Sequence, residues 1–115
     1  MASKKNPRNA NGHARRKVVA WLRAQRRGCW ICEAFGRDPT IDYSLPAGDP
    51  MSFECDELKP VSRGGSPIDP RNVDAAHRRC NQWRSDKSVA EVLAIARGSH
   101  GVGRAPVLRS RDWLA

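Results

Sequence analysis

The stretch "RNVDAAHRRCNQWRS", Arg71–Ser85, decides how the rest of the chain is read. Val73, Ala76, Cys80 and Trp83 recur at intervals of three and four, the period of one helical face, and predict a helix over about Arg71–Ser85. On it, His77 and Cys80 form an H-x2-C pair. Upstream, "GCWIC", Gly28–Cys32, carries Cys29 and Cys32 as C-x2-C in a tight knuckle. Two residues between ligands let both side chains of a pair reach one tetrahedral ion, and three thiolates with one imidazole make a structural zinc set. Such a knuckle ties the N-terminal part of the chain to the later helix across a long insertion. The competing reading is buried free cysteines beside a surface histidine. Cys55 is the leftover thiol, either an alternative to His77 as fourth ligand or a strand cysteine acting as a small hydrophobe, the reading preferred here.

A staple answers a need set by composition. The chain has 115 residues, 39% hydrophobic and 6% aromatic, which predicts one domain with a small core and a modest stability margin. Closely paired cysteines in a reducing compartment favour metal over disulfides. The longest early apolar run, Val18–Leu22, is too short for secretion or membrane spanning, so a cytoplasmic protein without membrane contact is expected. The net charge of +9 is placed unevenly: residues 1–27 hold nine Lys or Arg and no acid, and the remainder holds twelve of each sign. That is how an arm gripping nucleic acid looks, with a solvated solubility tail as the bland alternative.

Residues 1–13 are polar and read as a disordered basic tail, residues 14–98 as the domain, and residues 99–115 as a C-terminal tail whose "DWLA" has apolar groups to dock. Ala14–Arg27 suits a helix with one packing face and cationic flanks, stopped by Gly28. Arg37–Pro50 is a loop, and Ser52–Leu58 a strand ended by Pro60. Ser62–Pro70 is a second loop, in which Gly64 and Gly65 permit a tight turn. Ser88 with Glu91 forms a capping box ahead of Val89, Val92, Leu93 and Ala96, giving a last helix closed at Gly98.

With these pieces in place, "CDELKPVSRGG", then "NV", then "HRRCNQWRSDK" resembles the HNH nuclease family in its phage, zinc-knuckle branch, over about Gly28–Lys87. The resemblance implies an α+β fold: a ββα-metal core stapled by zinc, here with flanking N- and C-terminal helices. It implies that Asp56 and Asn81 ligate a catalytic divalent cation and that Asn72 orients the loop carrying the general base. His77 falls on the family's zinc cysteine, completing a zinc set with Cys29, Cys32 and Cys80. Glu57 stands where the family has the histidine that takes a proton from water. A carboxylate can serve as general base, about two pH units weaker than imidazole. Phage members of this branch accompany genome packaging, so terminase subunits are implied as partners alongside DNA.

The residues carry the same chemistry without the family. Phosphodiester hydrolysis needs a cation to neutralise the phosphate and a group to activate water. Neighbouring carboxylates at a strand end, Asp56 and Glu57, are hard oxygen donors suited to Mg2+ or Mn2+, and Asn81 adds a neutral oxygen. Arg15, Arg16, Lys17, Arg63, Arg79, Arg84 and Lys87, with Arg78, are expected to face phosphates. The expectation is a metal-dependent DNA endonuclease. Its alternative is a zinc-stapled DNA-binding or packaging-accessory module whose catalysis decayed when the base became Glu57.

Overall fold

A computed structural model describes residues 12–100. Helix α1, Gly12–Ala24, buries Val18 and Leu22, four residues apart on one face, and leaves Arg16, Lys17 and Arg23 in solvent. It ends sooner than expected. The amides of Gln25 and Arg26 bond back to Leu22 O and Arg23 O, and Arg26 takes the left-handed conformation at φ 52°. Gly28 serves closeness instead: a Cβ there would meet the Pro39 carbonyl oxygen at 2.9 Å, where the Cys29 amide bonds Pro39 O at 2.7 Å.

Cys29 caps the five-residue helix α2, Trp30–Ala34, its sulfur accepting from the Cys32 amide. After a loop of turns, strand β1, Phe53–Glu57, pairs antiparallel with strand β2, Val73–His77, in the register Phe53↔His77 to Glu57↔Val73. Helix α3, Arg78–Arg84, follows β2 without a break, and helix α4, Val89–His100, closes the described chain. The capping box forms: Glu91 N donates to Ser88 Oγ at 3.0 Å, and Ser88 N to Glu91 Oε1 at 2.6 Å. The helix runs past Gly98 to His100.

The helix expected over Arg71–Ser85 is corrected to strand then helix. Residues 73–77 are all buried, so burial carries no period of two, and pairing with β1 decides their conformation. The spacing of three and four arose from a fully buried strand running straight into a helix on which Cys80 is buried and Trp83 is exposed. His77 therefore sits at the strand end, capping α3, not on a helix.

One face of the hairpin is covered by α1, through Val18 and Leu22 against Val73, Phe53, Cys55 and Ile68. The other core gathers Trp30, Ile31, Ile41, Leu58, Ala75, Ala76 and Val92 around the cysteines, and α4 adds Leu93 and Ala96 against Ala34. The architecture is α+β, a two-stranded antiparallel sheet among helices. Among the described residues, no helix is long and apolar enough to cross a membrane. The expected basic tail up to residue 11 and the tail from residue 101 lie outside the described residues.

Candidate metal centre and acidic cleft

Cys29, Cys32, His77 and Cys80 converge, all buried, with their ligand atoms within 4.8 Å of one another. Cys32 Sγ lies 3.7 Å from Cys80 Sγ and 3.4 Å from His77 Nδ1, and Cys80 Sγ lies 3.8 Å from that nitrogen. A tetrahedral Zn2+ with ordinary bond lengths would space sulfurs by about 3.8 Å and sulfur from nitrogen by about 3.6 Å, so the donors fit. His77 Nε2 lies 2.9 Å from Thr40 O. A carbonyl only accepts, so Nε2 carries the proton and Nδ1 turns its lone pair to the thiols, the outer bond that fixes a ligating tautomer. The thiols share protons unevenly: the hydrogen bond between Cys29 and Cys32 raises the Cys29 pKa and lowers that of Cys32. The group is thus able to hold a structural metal ion. Cys55 stands apart from it, packed with Val18, Leu22 and Val73, which leaves His77 the fourth donor; burial pushes the Cys55 thiol up to about 11.

A second constellation lies across the hairpin. Glu54, Glu57 and Asn81 line a cleft of about 480 Å3 with Arg15, Arg23, Cys55 and Phe53. Arg15 reaches in from α1, its Nη2 3.0 Å from Glu57 Oε2 and its Nη1 bonded to Pro67 O at 2.8 Å. Asn81 Nδ2 donates to Glu54 Oε1 at 2.9 Å, and Arg78 Nη1 stands 3.5 Å from Glu54 Oε2.

Asp56 points the other way. Its Oδ2 receives Trp30 Nε1 at 2.8 Å and Arg84 Nη1 at 2.7 Å, and burial raises its carboxyl above the usual range although Arg84 and Trp30 oppose the rise. Asp56 and Asp74 face each other across the strands, and each has an arginine: Arg27 Nη1 lies 3.3 Å from Asp74 Oδ1. Glu57 and Asn81 are thus brought into one cleft, whereas Asp56 is engaged beneath it. The oxygen donors suit a hard divalent ion, in competition with the guanidinium groups already present.

Asn72 behaves as a loop pin. Its Oδ1 accepts from Lys59 N at 2.9 Å, and its Nδ2 donates to Lys59 O at 3.1 Å and Ser66 O at 2.9 Å. The loop is drawn so close that a Cβ on Gly65 would stand 1.7 Å from Lys59 O.

Of the residues expected to face phosphates, Arg84 is corrected: it is wholly buried, a fork spent on the protein itself. Nη1 also bonds Glu57 O at 2.8 Å, Nη2 bonds Leu58 O, and Nε bonds Lys87 O at 2.9 Å. Arg16, Lys17 and Arg79 are exposed, Arg15 and Arg78 turn toward glutamates, Arg63 lies 3.8 Å from Glu91, and Lys87 lies over the Trp83 ring at 4.7 Å. Sequence reasoning missed Trp30 and Glu54. A tryptophan between two ligating cysteines, with an aspartate destined for a buried strand, was the available signal for Trp30; Glu54 had none.

No protein-family model, curated protein or solved structure matches this chain.

Proposed function

We propose that the chain is a zinc-stapled, metal-dependent DNA endonuclease of the HNH type, with a ββα-metal core formed by β1, β2 and α3. The observation that carries the reading is the cleft where Glu57 from β1 and Asn81 from α3 meet under Arg15. The order of strand, pinned loop, strand and helix also supports it, since Asn72 holds the loop between the strands at three points. A bound Mg2+ or Mn2+ would neutralise phosphate charge. Glu57 would accept the proton of the attacking water and, with Glu54 and the Asn81 amide oxygen, would offer the donor oxygens to that ion, while Asp56 stays engaged with Arg84 and Trp30. Arg84 holds the Asp56 carboxylate and the Glu57 carbonyl in one fork. Exposed Arg16, Lys17 and Arg79 grip the DNA backbone, which positions without reading sequence.

Zinc-loaded protein is expected to nick or cut plasmid with Mg2+ or Mn2+, and Glu57→Gln to lower the rate by about a hundredfold or more. Intact plasmid beside an active control nuclease overturns the enzyme reading.

A second reading is favoured by one observation: Glu54, Glu57 and Asp56 each lie against an arginine. On that reading the cleft is a structural ion-pair network in a DNA-binding module that no longer cuts. Cleavage by Glu57→His alone, with none by the native protein, decides for it.

A further inference from the structure

Trp83 is 42% exposed on α3 although it is one of the largest apolar side chains of the described residues. It does not stand alone. The Phe35 ring meets it edge to face at 5.6 Å. Phe35, Trp83, Arg37, Arg79 and Cys80 line a cleft of about 240 Å3 beside the metal group. Arg37 lies 4.7 Å from the Phe35 ring centre, Lys87 Nζ lies 4.7 Å from that of Trp83, and Arg79 is exposed at the rim. Among the described residues, no acidic side chain lines this cleft. An exposed aromatic pair with Arg37 and Arg79 at its cleft and Lys87 beside Trp83 is complementary to a planar ring carried on a chain of negative charge.

We infer that the cleft lined by Phe35 and Trp83 is a stacking site for an unpaired base of single-stranded DNA, with Arg37, Arg79 and Lys87 on the flanking phosphates. The inference rests on the DNA reading above and adds the form of DNA that is bound. Duplex bases present only their edges, because their faces are stacked on one another, so an aromatic shelf discriminates in favour of an unpaired base. Stacking is tolerant of base identity, so a preference for strandedness over sequence is expected.

The test measures binding without added divalent ion, so that it does not depend on cleavage. A short single-stranded oligonucleotide with a central 2-aminopurine is titrated with full-length zinc-loaded protein. The same oligonucleotide with a central abasic site, and its duplex, serve as comparisons. Expected are a change in 2-aminopurine emission on binding and at least about fivefold weaker binding of the abasic strand and of the Trp83→Ala variant, with Trp83→Phe restoring most of the loss. Equal affinity for normal and abasic strands in the native protein overturns the inference, and needs no variant to fold. Equal binding by native protein and a folded Trp83→Ala variant, its metal content unchanged, also overturns it. Should the protein bind in this way yet leave plasmid intact, the nuclease reading fails and the stacking site stands. Plasmid cleavage with no effect of Trp83 gives the reverse.

Discussion

Arg84 accounts for more of the site's geometry than any residue that touches the cleft. A planar fork with several donors suits it to answer Asp56, Glu57 O, Leu58 O and Lys87 O together, which an ammonium group cannot do. Its guanidinium also lies over the Trp30 ring at 5.3 Å. Removing one member of a buried pair strands the other, so Arg84→Ala is expected to lower stability by about 3–5 kcal/mol in urea titrations. The loss has a pH signature. Burial raises the Asp56 carboxyl, so its own contribution is full below the unfolded value and declines as pH rises through the folded one. Without Arg84 the folded value climbs further, so the deficit of the variant is largest near neutrality and narrows as pH falls and Asp56 takes its proton. None of this was legible in "NQWRSDK", where an arginine among polar residues reads as surface. Its burial depends on a strand end and a tryptophan 28 and 54 positions away, as numbering shows.

Among the elements, the last helix was the plainest in sequence, because a capping box is a local device: Ser88 and Glu91 satisfy each other's amides without help from the rest of the fold. Ser88→Ala is expected to lower stability by about 1 kcal/mol at neutral pH by thermal melting. The Ser88 amide, then its hydroxyl, hold Glu91 below the usual carboxylate range. A depressed folded value gives stability that is present above the unfolded value and lost as pH falls through the folded one, so native protein and Glu91→Gln should converge in acid. Strand β2 was illegible for the opposite reason. Buried on both faces, Val73–His77 has no alternation to show, and its conformation is imposed by β1 from across a loop. That loop has little slack. Gly65→Ala, with its Cβ driven into Lys59 O, is expected to cost more than about 1 kcal/mol, whereas Gly48→Ala, with nothing within 4 Å, should leave the melting curve in place.

At the scale of the molecule, an ion held by Cys29, Cys32, His77 and Cys80 would decide whether there is a fold to speak of. Structural zinc in small domains is worth about 10–16 kcal/mol in apparent binding, against a total stability of about 5–15 kcal/mol for ordinary domains. Stripping the ion with a strong chelator is therefore expected to abolish the cooperative melt, and readdition to restore it. Co2+ in its place should show the absorption of a tetrahedral thiolate site, lost in Cys80→Ser. The four ligands were legible because H-x2-C and C-x2-C repeat one reach, a local property. The hard-cation pair was legible only as residue types, since whether Asp56 turns to Asn81 or to Arg84 is settled by packing that no spacing encodes. Cys32 and His77, 45 positions apart, are drawn together at one point, so the intervening polypeptide is a tethered ring whose circumference barely enters the energetics. Lengthening it costs only about 0.6 kcal/mol per doubling. An epitope tag spliced in at exposed Gly48 should thus leave melting and metal content unaltered, making that bend the natural port for a reporter.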